Sequence, residues 1–445
     1  MARKIAVIGM GYVGIPAASL FADVEGFEVI GIQRRSKRSG WKIDYLNEGK
    51  CPIGGDEPGL AELIHRTVVE KKTFHVTDDI SIIRTVDTVL IDVQTPTDEN
   101  HQPKYLSLRE VSKSVGQYMQ AGTLVVIEST VAPGTTENIV QPILEQESGL
   151  KAGKDFYLAF AYERVMVGRL IYNIVNYPRI IGGINDESTQ RAVNLYRHIT
   201  NEKLFPTTAL TAEVAKVTEN TYRDINVAFA NEVALICESL GVNVYEVRAL
   251  VNTLPFRSNA YRDMHIPGAG VGGHCLPKDP WLLKYGLDTY GEIPVELRII
   301  PSARWVNSYM PQHMMELIIQ GLKEANVPLQ GAKICLLGLA FLENSDDTRN
   351  TPTDPLYRAL EIKGLQPVIH DHLVREYELP FEKSLEEALQ DASAVALVTK
   401  HKEYYELSPE FFAQHLKHKI IVDGRDVYKR QEFEQVGFVF KAVGK

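Results

Sequence analysis

Cysteine is scarce in this chain of 445 residues, which contains four of them. None lies in a CxxC pair and no His/Cys cluster has metal-ligand spacing, so we expect no disulfide scaffold and no metal site. No apolar run approaches the ~20 residues that cross a bilayer. Gly9 and Gly11 interrupt the N-terminal apolar run too early for a signal peptide. The sequence therefore predicts a soluble, cytoplasmic protein with reduced thiols.

An excess of positive charge is also absent. Lys and Arg total 48 against 57 for Asp and Glu, a net charge of -9, so a general nucleic-acid surface is not expected. Hydrophobic residues make up 44% and charged residues 24%, which is ordinary globular usage and excludes a disordered chain. The length is roughly three times a ~150-residue domain, so two or three domains are expected.

Strand-like and helix-like segments alternate at both ends of the chain, which predicts two parallel sheets built from βαβ units. The strands predicted for the first sheet are Lys4–Ile8, Phe27–Ile32, Thr88–Val93, Thr123–Glu128, Phe156–Ala161 and Arg179–Gly182. Those predicted for the second are Lys333–Leu337, Pro367–His370, Ala394–Val398 and Ile420–Val422. The fold class is α/β, with two Rossmann-like doubly wound domains.

A long helix is predicted between the two sheets. From Leu210 to Leu240 there is neither Pro nor Gly, apolar residues recur at helical spacing, Thr211 is the predicted N-cap and Gly241 the stop. A helix of ~30 residues is ~45 Å long, so we expect a spine between domains and a homodimer surface. The predicted domains are an α/β domain at 1–205, a central helical domain at 206–325 and a second α/β domain at 326–445.

A glycine-rich loop follows the first predicted strand. Residues Gly9 to Gly14 read G-x-G-x-x-G, with Gly11 second and Tyr12 and Val13 before the last glycine. Glycine permits the tight turn and the close approach of backbone to a pyrophosphate, which then sits at the helix N-terminus. The loop predicts a dinucleotide site.

The acid that usually binds the adenosine ribose is missing after the second strand. Gln33, Arg34 and Arg35 stand there instead. Arginine can accommodate a 2′-phosphate, so NADP is possible, but solvated arginines beside a ribose-binding Gln33 fit equally well. NAD is the first choice.

A second glycine-rich loop, from Gly268 to Gly273, precedes Cys275. Lys278 and a neighbouring histidine give this thiol an electropositive setting that favours the thiolate, so Cys275 is a candidate nucleophile. Asp279 supplies a carboxylate nearby. The other three cysteines are expected to be inert.

On the long helix, Lys216, Asn220 and Arg223 lie at i, i+4 and i+7 and share a face, which is either a site or a solvated surface. Glu128 to Thr130 and Tyr162 to Arg164 lie near strand ends, where α/β sheets bind ligands.

Motifs along nearly the whole chain resemble the UDP-glucose/GDP-mannose dehydrogenase family, and within it the branch that oxidises UDP-N-acetylhexosamines. They are Gly9–Gly14, Thr95–Pro96, Glu128–Thr136, Glu163–Arg164, Lys216 with Asn220–Asn226, Gly272–Asp279, Gly338–Phe341 with Asp347–Arg349, and Asp423–Arg425. The resemblance implies oxidation of the sugar C6 alcohol to a carboxylate, with two NAD consumed. It also implies that the domain at 1–205 binds NAD and that the domain at 326–445 binds the UDP-sugar.

Site roles are implied by the same resemblance. The implied catalytic residues are Cys275 as nucleophile, Lys216 and Asn220 around the oxyanion, and Asp279, Glu163 and Thr130 around the water. The implied cofactor contacts are Gly9, Gly11, Tyr12, Val13, Gly14, Gln33, Arg34, Thr95, Pro96, Thr130 and Arg349. The implied substrate contacts are Glu163, Arg164, Lys216, Asn220, Arg223, Arg257, Gly272, Lys278 and Phe341.

Two positions depart from the family pattern: Tyr162 replaces the usual Pro before Glu163, and Leu342 replaces a common Lys after Phe341. The loop around Cys275 favours UDP-GlcNAc, UDP-ManNAc or UDP-GalNAc as substrate, with UDP-glucose as the alternative. A two-electron β-hydroxyacid-type dehydrogenase would also pair a Rossmann domain with a catalytic Lys/Asn, but needs no nucleophilic cysteine. A non-catalytic nucleotide-sugar sensor is the remaining alternative.

Overall fold

The computed structural model describes residues 3–37, 39–253 and 263–445. The chain divides into two compact units, one of Met1–Glu219 with Lys278–Val295 and one of Asn220–Pro277 with Glu296–Lys445. The helices are α1 Gly14–Asp23, α2 Trp41–Asn47, α3 Leu60–His65, α4 Leu106–Tyr118, α5 Gln141–Ser148, α6 Leu170–Asn176, α7 Asp186–Tyr196, α8 Ala209–Leu240, α9 Val244–Val251, α10 Asp279–Tyr290, α11 Ile299–Glu324, α12 Thr353–Ile362, α13 Leu385–Leu389, α14 Pro409–His415 and α15 Arg430–Gln435.

The first unit is built on an eight-stranded sheet. Its strands are β1 Arg3–Ile8, β2 Phe27–Ile32, β3 Phe74–Thr77, β4 Thr88–Ile91, β5 Leu124–Ile127, β6 Tyr157–Phe160, β7 Arg179–Gly183 and β8 Leu204–Thr208, in the order β3-β2-β1-β4-β5-β6-β7-β8. All neighbours are parallel except β6 and β7. Alternate residues of β1 enter two different cores, Ile5 and Val7 on one face and Ala6 and Ile8 on the other, as a doubly wound sheet requires.

The second unit contains a six-stranded, fully parallel sheet. Its strands are β9 Lys333–Leu337, β10 Gln366–His370, β11 Phe381–Glu382, β12 Ala394–Leu397, β13 Ile420–Asp423 and β14 Val439–Ala442, in the order β11-β10-β9-β12-β13-β14. The prediction of two Rossmann-like sheets is confirmed. The three-domain division stays a prediction.

The start of the long helix differs from the prediction. Helix α8 begins at Ala209, so Thr211 is inside it and the N-cap prediction was wrong. The hydroxyl oxygen of Thr208 instead accepts the hydrogen bond from the Thr211 backbone N–H, at 3.2 Å. The capping contact therefore comes from a threonine three residues upstream of the predicted one.

Candidate active site

The first glycine-rich loop, between β1 and α1, is shaped for a dinucleotide. Gly9 has φ +110°, and a Cβ there would collide with the carbonyl oxygen of Asp92. A Cβ on Gly14 would collide with the Gly9 carbonyl oxygen, whereas no described atom lies within 4 Å of a Cβ built on Gly11. Two glycines are therefore needed for packing, and the middle one leaves its backbone open to a ligand.

The N-terminus of α1 adds to this cradle. Val13 stands at the N-cap position, and no side chain among the described residues caps it. The first N–H groups of a helix carry partial positive charge and favour an anion such as pyrophosphate. The loop and the helix end together fit a dinucleotide.

The segment after β2 is already engaged by its own surroundings. Gln33 Oε1 accepts a hydrogen bond from the backbone N–H of Met10, at 3.0 Å. Arg35 forms exposed ion pairs with Asp44, at 3.3 Å, and Asp78, at 3.2 Å. Gln33 thus holds the glycine-rich loop, and Arg35 is surrounded by two carboxylates that would repel a 2′-phosphate.

Lys216 is buried on α8 and is directed at the segment after β6. Its Nζ donates to the carbonyl oxygen of Glu163 at 2.8 Å and lies 3.6 Å from Glu163 Oε1. The ring of Tyr162 lies beneath Nζ, 5.1 Å away at its centroid. The solvated-surface interpretation is therefore wrong for Lys216.

Tyr162, the departure from the family pattern, has a structural role. Its side chain is buried, which raises the pKa of its hydroxyl to about 12. That hydroxyl donates to Glu219 at 3.3 Å, and Glu219 also pairs with Arg164 at 2.7 Å. The peptide at Glu163 is thus held on both sides although the usual proline is missing.

A buried charged cluster lies at the carboxyl ends of β4 and β5. The guanidinium of Arg179 donates to the carboxylate of Glu128 and, at 2.7 Å, to the carbonyl oxygen of Ala161, and it stacks 3.9 Å above the ring of Tyr196. The carboxyl group of Asp92 lies close enough to that of Glu128 to interact with it electrostatically. Burial, then repulsion by Glu128, raises the pKa of Asp92 well above its usual range.

Residues before α10 meet the strand ends of the same unit. Lys278 Nζ donates to the carbonyl oxygen of Thr95 at 3.1 Å and lies 3.7 Å from the carboxylate of the buried Asp279. The hydroxyl of Thr95 donates to the carbonyl oxygen of Thr130 at 2.6 Å. Lys278, Asp279, Thr95 and Thr130 therefore lie together in the first unit.

The second unit holds the loop that carries Cys275. A Cβ on Gly272 would lie 2.5 Å from the Cβ of Phe341, and one on Gly273 would lie 2.8 Å from its ring. The backbone N–H of Gly273 donates to the carbonyl oxygen of Arg349 at 2.8 Å. The loop therefore packs directly on the segments that follow β9.

Among the cysteines, Cys275 alone is exposed. Burial raises the pKa of Cys335 to about 12 and also raises the pKa values of Cys51 and Cys237. A raised pKa lowers the thiolate fraction, so these three thiols are poor nucleophiles.

The other predicted site residues occupy mixed positions. Asn220 is half-buried and Arg223 is exposed on α8, while the guanidinium of Arg349 binds both carboxylate oxygens of Asp347. Arg257 lies outside the described residues. Sequence reasoning missed the role of Arg179, because its contacts come from distant segments.

Three family models match this chain. They are the NAD binding domain (residues 3–200), the central domain (210–309) and the UDP binding domain (335–430) of the UDP-glucose/GDP-mannose dehydrogenase family. The chain belongs to this family. It is an NAD-dependent nucleotide-sugar dehydrogenase.

The similarity to other proteins covers the full length of this chain. The UDP-N-acetyl-D-mannosamine dehydrogenase of Pyrococcus horikoshii is 37% identical over 442 residues, 99% of each chain. The crystal structure of the NDP-N-acetyl-D-galactosaminuronic acid dehydrogenase of Methanosarcina mazei has a TM-score of 0.89 and 43% identity, covering 100% of this chain and 95% of that one. A structure of UDP-D-ManNAc dehydrogenase from P. horikoshii has a TM-score of 0.89 and 38% identity, with 99% coverage of both. No helix of the described part is long and apolar enough to span a membrane.

Proposed function

We propose that this dehydrogenase oxidises the C6 alcohol of a UDP-N-acetylhexosamine to the uronate through a covalent intermediate on Cys275. The observation that carries the proposal is the exposed Cys275 on a glycine-rich loop packed against Phe341. The chain is also similar over its full length to a UDP-N-acetyl-D-mannosamine dehydrogenase and to an NDP-N-acetyl-D-galactosaminuronic acid dehydrogenase. Bound NAD would supply the oxidising power, with two molecules consumed per uronate.

Cys275 makes the second oxidation possible. Its thiolate adds to the C6 carbon of the aldehyde, a C–S bond forms, and the carbonyl electron pair moves to oxygen, giving a thiohemiacetal. That carbon again carries both hydrogen and oxygen, so a second oxidation converts it to a thioester. Water then attacks the thioester, the C–S bond breaks, and the thiolate returns.

Lys216 and Asn220 are proposed to stabilise the negative charge that develops on the oxygen at C6. Lys216 is a buried cation held at fixed geometry by the Glu163 carbonyl oxygen, so its charge needs little reorganisation when an oxyanion forms. Glu163, Asp279 and Thr130 are proposed to orient and deprotonate the attacking water. Glu163 already contacts Lys216 in the first unit.

The nucleotide part of the substrate is proposed to lie against Gly272 and Phe341, with Arg164, Arg223, Arg257 and Lys278 as the remaining substrate contacts. The match to a UDP binding domain over residues 335–430, which contain Phe341, supports this assignment. Two of these cations are engaged inside the protein, Arg164 by Glu219 and Lys278 by Thr95, so their proposed role is to shape the site.

NAD is proposed as the cofactor in preference to NADP. Arg35 is committed to Asp44 and Asp78, and a 2′-phosphate placed beside it would meet both carboxylates. Arg34 is exposed and keeps the NADP alternative testable. The proposed contacts are the glycine-rich loop with Tyr12 and Val13, then Gln33, Thr95, Pro96, Thr130 and Arg349.

A homodimer through α8 is also proposed. In its second-unit part, Tyr222, Phe229, Ile236 and Leu240 are 61%, 59%, 51% and 71% exposed. Their spacing of seven, seven and four residues places them along one side of the helix. An apolar stripe of this length on a soluble protein favours burial against a second copy.

The experiment is a screen of UDP-sugars for NAD reduction, followed by measurement of NADH and uronate with the best substrate. We expect an N-acetylhexosamine to be best and two NADH per uronate, with Cys275→Ser binding substrate but releasing no uronate. One NADH per sugar with aldehyde product would favour the two-electron alternative. Binding without turnover would favour a sensor, and preference for UDP-glucose would change the substrate.

A further inference from the structure

Two buried residues, Asp371 after β10 and His401 after β12, meet below the loop that follows β9. Both are 0% exposed. Asp371 Oδ2 accepts hydrogen bonds from the backbone N–H groups of Leu339 at 2.8 Å and Ala340 at 2.9 Å. The same oxygen lies 3.1 Å from His401 Nε2.

His401 reaches the other end of that loop. Its Nδ1 lies 2.9 Å from the backbone nitrogen of Asn344, which can only donate. Nδ1 must therefore be the unprotonated nitrogen, and Nε2 carries the hydrogen that is donated to Asp371. His401 is thus a neutral imidazole in one defined tautomer, bonded to a carboxylate on one side and to Asn344 on the other.

The carboxylate of Asp371 is stabilised in its charged form. Burial opposes ionisation, but the hydrogen bonds from His401, Ala340 and Leu339 outweigh it and hold the pKa of Asp371 well below its usual range. One ionised oxygen therefore serves both backbone N–H groups and the imidazole. Because hydrogen bonds to a charged group are strong, the carboxylate fixes the start of the loop, and His401 holds its end through the backbone N–H of Asn344.

The first sheet uses the equivalent loop differently. Gly338 follows β9 with φ +98°, as Gly9 follows β1 with φ +110°. After β1 the helix end faces an open cradle, whereas after β9 the first two N–H groups are taken by Asp371. The backbone N–H groups of the second loop are thus already bonded within the protein, and this loop is not a second dinucleotide site. It is instead a rigid support for Phe341, which packs on Gly272 and Gly273.

We propose that Asp371 and His401 are positioning residues for the nucleotide subsite, acting by fixing the 338–344 loop that presents Phe341 to the uridine diphosphate. This inference rests on the proposed function, which assigns the UDP contact to Phe341. It accounts for the histidine–carboxylate pair, which the proposed chemistry at C6 does not use.

The test compares three substitutions at His401 in the full-length protein. His401→Asn keeps an acceptor near Nδ1 for Asn344 but loses the donor to Asp371, His401→Gln keeps that donor but loses the acceptor, and His401→Leu loses both. His415→Asn, on α14, is the control, because the hydrogen bond from its imidazole stays within its own helix. Binding of UDP and of NAD is measured by calorimetry, and steady-state kinetics give kcat and KM.

We expect His401→Leu to raise the Kd for UDP and the KM for the UDP-sugar about tenfold, with kcat and the Kd for NAD unchanged. The Asn and Gln variants should fall between wild type and His401→Leu, and they carry the test if the Leu variant does not fold. Unchanged UDP affinity in folded variants, or equal loss of UDP and NAD affinity, would overturn the inference. Failure of the wild-type protein to bind UDP would instead contradict the proposed function.

Discussion

Replacing Arg179 by Met should destabilise the first unit strongly. The methionine retains an unbranched apolar stem beside Tyr196 but removes the only cation that contacts Glu128 in the described chain. Glu128 and Asp92 then remain buried together without a compensating positive charge. Removing one partner of a buried ion pair costs about 3–5 kcal/mol, which corresponds to a fall in Tm of about 6–20 °C for a unit of this size.

Thermal and urea unfolding of Arg179→Met measure this loss, and Arg191→Met is the matched control. Arg191 also lies over a tyrosine ring, 3.7 Å from the centroid of Tyr157, and pairs with Glu187, but it is exposed. An exposed pair contributes about 0–1 kcal/mol. A loss below about 1 kcal/mol in Arg179→Met, or equal losses in both variants, would refute the reasoning.

The same cluster predicts the direction in which pH changes the stability of the first unit. Because the pKa of Asp92 is raised in the folded protein, its contribution to stability is present at low pH and is lost as pH rises through the folded value. Without Arg179 both carboxyls repel more strongly when ionised. The destabilisation of Arg179→Met should therefore increase with pH, and a difference that stays constant with pH would contradict the raised pKa of Asp92.

Four further variants test other contacts. Burial raises the pKa of Glu213 to about 7, so the stability contributed by this carboxyl group is lost as pH rises through that value. Glu213→Gln should therefore give a flatter pH dependence of Tm between about pH 5 and pH 8. An unchanged slope would contradict the raised pKa. Lys216→Met should lower kcat by about 10²–10³-fold with NAD affinity retained, whereas a near-normal kcat would exclude an oxyanion role. Arg35→Ala should leave the ratio of NAD to NADP affinity unchanged, because Asp44 and Asp78 already engage Arg35; a changed ratio would contradict this. Arg34→Ala would alter the same ratio only if Arg34 binds a 2′-phosphate.

Central strands with continuous apolar sequence could be predicted, whereas strands at the sheet edges could not. The bounds Phe27–Ile32 and Lys333–Leu337 agree with the structure, because both segments are apolar and are bounded by turn residues. Strands β3, β8, β11 and β14 were missed, and each lies at an edge of its sheet. Edge strands carry polar residues within the apolar pattern, and β8 also contains Pro206, which is tolerated there because an edge strand can spare a backbone donor.

Much of the candidate site could also be predicted from local motifs. Contacts between segments distant in the sequence could not be predicted in this way. The glycine spacing led to the cradle before α1, and the Lys216 register led to a buried lysine. Nothing in the sequence pattern connected Glu128 with Arg179, or Asp371 with His401, since these pairs form only when strand ends are brought to one edge of a sheet. Burial and charge pairing there depend on the tertiary fold.

The central claim is that Cys275 becomes acylated during turnover. The most direct test is the mass of the peptide that contains Cys275, taken from protein quenched in acid during steady-state oxidation of the best UDP-sugar, in wild type and in Asp279→Asn. The account predicts a UDP-uronyl adduct on this peptide, more abundant in Asp279→Asn because hydrolysis of the thioester is slowed. An unmodified Cys275 peptide in both proteins, while NADH and uronate still form, would contradict it.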